Sequence, residues 1–442
     1  MDRRLLILAL GMFAMGTDNF VVAGILPDVA ASLHTSVSLA GLMVTFYALT
    51  YAVAAPVMAA VAGGWPRKLL LVSALGIFVA GNAISALATD LHWVLLSRVM
   101  AGFGAALFSP TALGVAAALA TPEKRGRALS TVTVGLTGAT ALGSPIGTFI
   151  GGFGSWRTTL WFVAMLGIVA MIGVWTLLPS VARPATVKLR ERLVPVRDVR
   201  IALTLLTSLF AFGGFLMVYT YAGVVLARVT HGDERILAGM LLLWGVAATV
   251  GNVLSGRLVD RFESRSIINA MLWLAIINFG ALPWTSAHAL SALTALCIWG
   301  ICGWGLIVPQ QHRLVQITPK AASLLLALNN TATYVGLAGS SVVGGTVLQS
   351  LGVRYLGIVA AGLIALAFIL AEAAHRCIER PVSGIGQRPV VKPRPSEFLR
   401  RPVFSVDRMN RLARTVKQGE RDDKTSRPNT SRTGRHQSLG ER

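Results

Sequence analysis

Residues 5–27 read LLILALGMFAMGTDNFVVAGILP. At 1.5 Å per residue a helix of this length reaches across a hydrocarbon core of about 30 Å. The run breaks its own rule once, because Asp18 lies just past its midpoint with Asn19 beside it. A carboxylate at that depth costs about 2.5–3.5 kcal/mol even on the lenient insertion scale, so it faces protein or a water-filled cavity and takes part in moving something.

The rest of the chain is the housing for such a residue. Of 442 residues 54% are hydrophobic and only 13% charged, with a mean hydropathy of +0.66; the class is a polytopic membrane protein. The net charge of +21 does not indicate nucleic-acid binding, because the basic residues collect in loops on one side of the apolar runs and in the tail. Cys297, Cys302 and Cys377 offer neither a disulfide framework nor metal-ligand spacing. Met1-Asp2-Arg3-Arg4 before an apolar run resembles a signal peptide, but the run is too long and many follow it, so it reads as the first span.

Twelve apolar runs follow one another, at about 5–27, 38–62, 69–89, 93–119, 128–152, 159–179, 202–227, 236–259, 267–285, 289–310, 321–349 and 354–375. In lipid the backbone must satisfy itself within each segment, so each run predicts a helix; the alternating ten-residue pattern of a β-barrel is missing. Eighteen basic residues, Arg3, Lys68, Arg125 and Arg190 among them, fall in the N-terminus and the loops after even-numbered runs. Four (Arg157, Arg228, Arg235, Arg354) fall after odd-numbered ones. That asymmetry places both termini in the cytoplasm.

A constant offset of 197 residues relates the two halves. Thr121-Pro122 matches Thr318-Pro319, Arg157 matches Arg354, Lys68 matches Arg265, and Gly143 and Gly147 match Ser340 and Gly344. The expectation is an all-α protein of twelve transmembrane helices in two pseudo-symmetric bundles, with a binding site near mid-membrane between them. The bundles are 1–179 and 201–376, joined by a cytoplasmic linker at 180–200. A tail, 377–442, has 16 Lys or Arg against seven Asp or Glu; it reads as disordered and suited to contact with anionic lipid. Asp18 aligns with Phe215 and Arg98 with Ala295, so the buried charges belong to the first half alone.

Several stretches together resemble the major facilitator superfamily and, within it, the twelve-helix drug:proton antiporters of the bacterial chloramphenicol and arabinose efflux group. They are GTDNFVVAGILP (16–27), PRKLLL (66–71), SRVMAGFGAALFSPTA (97–112), GLTGATALGSPIGTFIGG (135–152), GSWR (154–157) and GNVLSGRLVDR (251–261). The resemblance implies that Asp18 couples protons or binds cationic substrate, although many relatives have Glu there. It also matches Arg98 to an arginine of the fourth helix, permanently charged and able to pair with Asp18 or a substrate anion. The family associates antiport with the pattern Gly138, Gly143, Pro145, Gly147, Gly151. Small residues four apart let helices approach closely, and the proline loosens one hydrogen bond. The loop after the eighth run, with Gly256, Arg257, Asp260, Arg261 and Arg265, resembles a cytoplasmic gate. Its counterpart after the second run keeps only Arg67 and Lys68, with Gly63 and Gly64 where relatives usually carry an acid and an arginine.

Aromatic and amide residues in the runs are candidates for the cavity wall: Asn19, Tyr47, Tyr51, Asn82, Tyr219, Tyr221, Trp244, Asn252, Trp299, Trp304, Gln310, Asn329, Asn330 and Tyr334. Such walls suit amphipathic, poorly hydrated solutes. The reading is a monomeric multi-pass transporter of the bacterial inner membrane, without a cofactor. It exports small organic molecules in exchange for protons. No GxxxxGK[ST] phosphate loop supports ATP drive, and no cluster of His, Asp or Ser at one face suggests an enzyme. A sugar, nucleoside or other metabolite is the alternative cargo, and a receptor or channel the alternative class.

Overall fold

The computed structural model describes residues 2–121, 124–179 and 194–379. Its helices are α1 (Arg3–Ser32), α2 (Val37–Val61), α3 (Arg67–Leu87), α4 (Leu91–Leu119), α5 (Arg125–Gly138), α6 (Ser144–Gly151) and α7 (Trp156–Leu177). After the linker come α8 (Val199–Thr220), α9 (Glu234–Val259), α10 (Ser264–Gly280), α11 (Ala289–Ile317), α12 (Ala322–Ser350) and α13 (Arg354–Glu379). Every predicted run is occupied by helix. Among the described residues nine helices are long and apolar enough to cross a membrane. The other three runs fall short for visible reasons. The fifth is divided between α5 and α6 by a π-helical turn, Ala139–Gly143, just before Pro145; α10 has 17 residues; and α12 is long and uncharged but diluted by Asn329, Asn330 and its serines and threonines.

Helix starts follow local chemistry. Asp2, Ser36, Asp90, Ser155, Asp198 and Asp233 each stand just before a helix and accept a hydrogen bond from a backbone N–H of its first turn. These groups would otherwise be orphaned. The turn before α9 passes through His231 and Gly232, both with positive φ, where glycine carries no Cβ penalty.

Several predicted boundaries move. The first helix continues through Pro27 to Ser32, and the seventh run ends at Thr220, followed by two short helical turns, Ala222–Val225 and Ala227–Thr230. The last helix extends to Glu379, past the expected start of the tail. Of the linker, Val194–Arg197 form one 3₁₀ turn; residues 180–193 and the tail beyond 379 lie outside the described residues.

Successive helices run up and down, as side-chain bonds between their ends show. Arg157, at the start of α7, donates to Ser32 Oγ at the end of α1 (3.1 Å) and to the Ala88 carbonyl just past α3 (2.8 Å). Arg265, at the start of α10, reaches Glu372 near the end of α13. One face therefore carries the start of α1 and the end of α13, and is called the terminal face below; the opposite face carries Ser36 and Ser350.

Helices α1–α7 and α8–α13 meet along two seams. In the first, α2 lies on α12. Gln349 donates to Ser36 Oγ (3.2 Å), Ser38 to the Gly345 carbonyl (2.7 Å), Ser341 to the Gly41 carbonyl (2.6 Å) and Thr45 to the Ala338 carbonyl (3.2 Å). Beyond Ser36, which caps the helix, the partners on α2 (Ser38, Gly41, Thr45) and on α12 (Gln349, Gly345, Ser341, Ala338) advance by about a helical turn at a time, so one face of each helix supplies them. In the second, α9 lies on the π turn and α6, close enough that a Cβ on Gly245 would reach the backbone at Thr140 and Ala141 within 2.6–2.7 Å.

Candidate functional site

Asp18 and Arg98 come together. They are 0% and 1% exposed, and both carboxylate oxygens are bonded: Nη1 lies 2.8 Å from Oδ1 and Nη2 2.9 Å from Oδ2. This fork-on-fork geometry is the strong form of the pair, and at such burial it is what makes either charge tolerable. Arg98 also rests 4.9 Å above the centre of the Tyr47 ring. Its Nη1 lies 3.4 Å from the Asn82 Oδ1, and Asn82 itself donates to the Phe78 carbonyl. The Arg98 Nε is buried without a partner. The site thus gathers α1, α2, α3 and α4 around one ion pair, with Asn19 half-buried next to it.

Close packing positions that pair. A Cβ on Gly102 would overlap the Tyr47 carbonyl, which brings α4 directly against α2 one turn from Arg98. The glycine run of α5 and α6 lies along α1: added Cβ atoms would overlap the Thr17 hydroxyl at Gly143 and Val21 at Gly147, and would meet Ile25 3.5 Å from Gly151. Gly138 is looser, 3.7 Å from Phe13. The pattern expected from its spacing therefore packs on the helix that carries Asp18.

The aromatic candidates form a filled core in this conformation. The Tyr219 and Trp244 ring centroids are 4.4 Å apart, and Trp299, Trp304, Phe20, Phe212, Phe215 and Phe279 surround them edge-on or tilted. Tyr221 donates to the Ser341 carbonyl (2.7 Å), and Asn252 to the Trp304 carbonyl (3.4 Å). Tyr51 lies on Tyr334, its hydroxyl bonded by Asn330 (3.2 Å) and by Ser109. Gln310, Asn329 and Ser208 make a buried neutral cluster; Ser208 donates to Asn329 Oδ1 (2.6 Å) and Gln310 to Ser208 Oγ (3.2 Å), leaving Gln310 Oε1 unpartnered. An open apolar groove of about 420 Å³ lies on α2 and α4, lined by Leu49, Val53, Val57, Met58 and Phe103. None of the aromatic or amide candidates lines it.

The expected gate is distributed differently from its motif. Gly256 lies in open space, and among the described residues no ion pair engages Arg257, Asp260 or Arg261. Arg265 instead forms a bidentate bridge to Glu372 (3.0 and 2.6 Å), which also accepts from Asn269 (2.5 Å). Lys68 lies 5.5 Å from the centre of the Trp175 ring, and Arg67 opens α3. Glu372 and Asn269 escape a reading by motif. The signal was the one that singled out Asp18, an acid inside an apolar run, here in 354–375. Among the described residues no group of three or more His, Cys, Asp or Glu is placed to hold a metal ion.

Residues 8–338 match the model of the Major Facilitator Superfamily. The chain belongs to that family. The superfamily's members are transporters, so this is a multi-pass membrane transporter, with the bilayer and a small-molecule substrate as its partners, and not an enzyme. The inner membrane transport protein YdhP of Escherichia coli K12 is 30% identical over 84% of this chain and 96% of its own. A chloramphenicol resistance protein of Streptomyces lividans is 29% identical over 78% and 88%, and a probable sugar efflux transporter of Helicobacter pylori J99 is 28% identical over 82% and 93%. The fold matches that of a bacterial homologue of the human lysosomal transporter Spinster, with a TM-score of 0.68 at 17% identity, covering 85% of this chain and 96% of that one.

Proposed function

We propose that the protein exports small organic molecules, drugs of the chloramphenicol type among them, across the bacterial inner membrane in exchange for protons, with both termini in the cytoplasm. The observation that carries this reading is the Asp18–Arg98 pair, the one ion pair fully buried at mid-helix among the described residues. An opposite charge held against a carboxylate favours its ionised form, and loss of that charge in a dry surround favours the protonated one. A cycle that alternately makes and breaks this pair loads a proton on one side and discharges it on the other. One charge moving through 100 mV supplies about 2.3 kcal/mol.

The motion is a rocking of residues 1–179 against 201–376 about the mid-membrane site. The two seams support it: they close the face opposite the termini in this conformation, and the loop charges near Arg67, Lys68, Arg257, Asp260, Arg261 and Arg265 would close the other. The basic tail adds contact with anionic inner-leaflet lipid, and the protein works as a monomer. A second reading, efflux of a sugar, draws on the neutral Gln310–Ser208–Asn329 cluster and on the Helicobacter relative.

Expression in a drug-sensitive, pump-deficient bacterium tests both. Tolerance of chloramphenicol that vanishes with a protonophore, and with Asp18→Asn at equal protein level, is the expected result. Export that survives both removes Asp18 from coupling.

A further inference from the structure

Three oxygen atoms from three helices meet two residues along α1 from Asp18. The Ser144 hydroxyl of α6 and the Tyr219 hydroxyl of α8 lie 2.8 Å apart, and each lies 3.1 Å from the Phe20 carbonyl of α1. Ser144 is 0% and Tyr219 3% exposed. Two hydroxyl protons and one carbonyl satisfy one another, in a surround made of the Phe20, Trp244 and Trp304 rings.

We propose that this triad is a clasp that holds the face opposite the termini closed, and that Tyr219 and Ser144 are positioning residues of the transport cycle. The inference rests on the alternating-access reading above. Ser144 and Phe20 belong to the first set of helices and Tyr219 to the second, so the clasp is broken whenever the sets part at this level. Ser144 keeps its bond to the Phe20 carbonyl, and the group that parting strips of its partners is the Tyr219 hydroxyl, which stands beside the Trp244 and Trp299 rings. A polar group left unpaired in such a place is costly, so parting requires water or a polar group of the cargo to bond the Tyr219 hydroxyl. The clasp also has a bearing on Asp18. Its helix is tied to α4 by the ion pair and, two residues on, to α8 by the clasp, so release of Tyr219 frees α1 beside the pair.

Tyr219→Phe keeps the ring on Trp244 and removes only the hydroxyl; Ser144→Ala removes the other. Both are examined in membrane vesicles, in a background where Cys297, Cys302 and Cys377 are alanine. Ser36→Cys and Gln349→Cys there report closure of the α2–α12 seam through their rate of joining by a short bifunctional thiol reagent. Tyr219→Phe, which removes both bonds of the clasp that cross between the sets, is expected to lower that rate roughly three- to tenfold, the usual worth of one buried hydrogen bond. Ser144→Ala is expected to lower it by less, because Tyr219 keeps its bond to the Phe20 carbonyl, and the double variant to lose no more than Tyr219→Phe, because both crossing bonds run through that hydroxyl. A Tyr219→Phe rate equal to the parent overturns the clasp, as does a double variant that loses the product of the two. Should Tyr219→Phe not be recovered folded, Ser144→Ala decides: a rate equal to the parent overturns the clasp. Failure of the transport reading shows up separately: export insensitive to Asp18→Asn leaves the cross-linking result standing on its own.

Discussion

Tyr51 of α2 and Tyr334 of α12 lie ring on ring, their centroids 3.9 Å apart and their planes 18° from parallel. They continue the row of hydrogen bonds that begins at Ser36 and Gln349, and Asn330, one turn further along α12, still reaches the Tyr51 hydroxyl. Stacked pairs contribute about 0.5–1.5 kcal/mol beyond the area they bury. Tyr334→Ala, which loses the packed ring as well as the stack, is therefore expected to lower stability by about 3–5 kcal/mol, and Tyr334→Phe to leave it near the parent value, since the ring is kept. Thermal unfolding of the detergent-purified protein, compared across the three, checks this; equal losses in both variants would mean the stack contributes nothing.

The glycines divide sharply by what stands next to them. At Gly102 a methyl group would run into the Tyr47 backbone, which has no way to yield, whereas nothing lies within 4 Å of a methyl at Gly114 on the same helix. Gly102→Ala is expected to destabilise by about 1–3 kcal/mol, as overpacking does, and to impair transport by pushing α4 and its Arg98 away from Tyr47. Gly114→Ala is expected to be neutral or to stabilise by up to about 1 kcal/mol through helix propensity alone. Thermal shift and drug tolerance of the two variants side by side make the comparison.

Arg98 invites a graded test. Lysine keeps the charge but brings a single ammonium to a site built for two parallel bonds, so Arg98→Lys is expected to keep part of the stability and little of the transport. Arg98→Ala leaves Asp18 without its partner, and breaking a buried pair on one side costs about 3–5 kcal/mol unless the remaining group neutralises. Asp18 can do so by binding a proton. Arg98→Ala/Asp18→Asn is accordingly expected to be about as stable as Arg98→Ala, and both to be inactive. A double variant markedly more stable than Arg98→Ala would show that Asp18 stays charged without Arg98.

Much of this architecture was legible in the residues because lipid leaves the backbone few choices. An apolar run of sufficient length must be a helix, and Asp18, Arg98 and the spaced glycines stand out against such runs. Fine geometry was not legible. Which face of a helix meets which neighbour depends on packing across segments far apart in the chain, so nothing local announced that Ser144 would meet Tyr219 or that Tyr47 would lie under Arg98. The aromatic residues gave an ambiguous sign, since a ring that lines a cavity in one conformation fills a core in another. Glu372 was a different kind of omission: it stands so near the end of its run that it looks like a loop residue, yet Arg265 and Asn269 both reach it.

The start of α8 offers a prediction outside the apolar segments. Asp198 accepts hydrogen bonds from the Arg200 side chain and from its backbone N–H, and these hold the Asp198 carboxyl below its ordinary range. A carboxyl whose pKa is lowered by folding stabilises the folded state above its unfolded-state value, near 3.9, and loses that contribution as pH falls through the lowered value. Asp198→Ala removes both the cap and the pairing, so at pH 7 it is expected to cost about 1 kcal/mol, the ordinary worth of a helix cap. The gap between parent and variant is expected to narrow as the pH is taken below 4, where the parent's own Asp198 becomes protonated and the bonds to Arg200 weaken. Thermal unfolding of both proteins in detergent from pH 7 down to pH 3 measures that gap directly. A gap that stays constant over the range would show that the carboxylate's charge contributes nothing and that the cap acts through its shape alone.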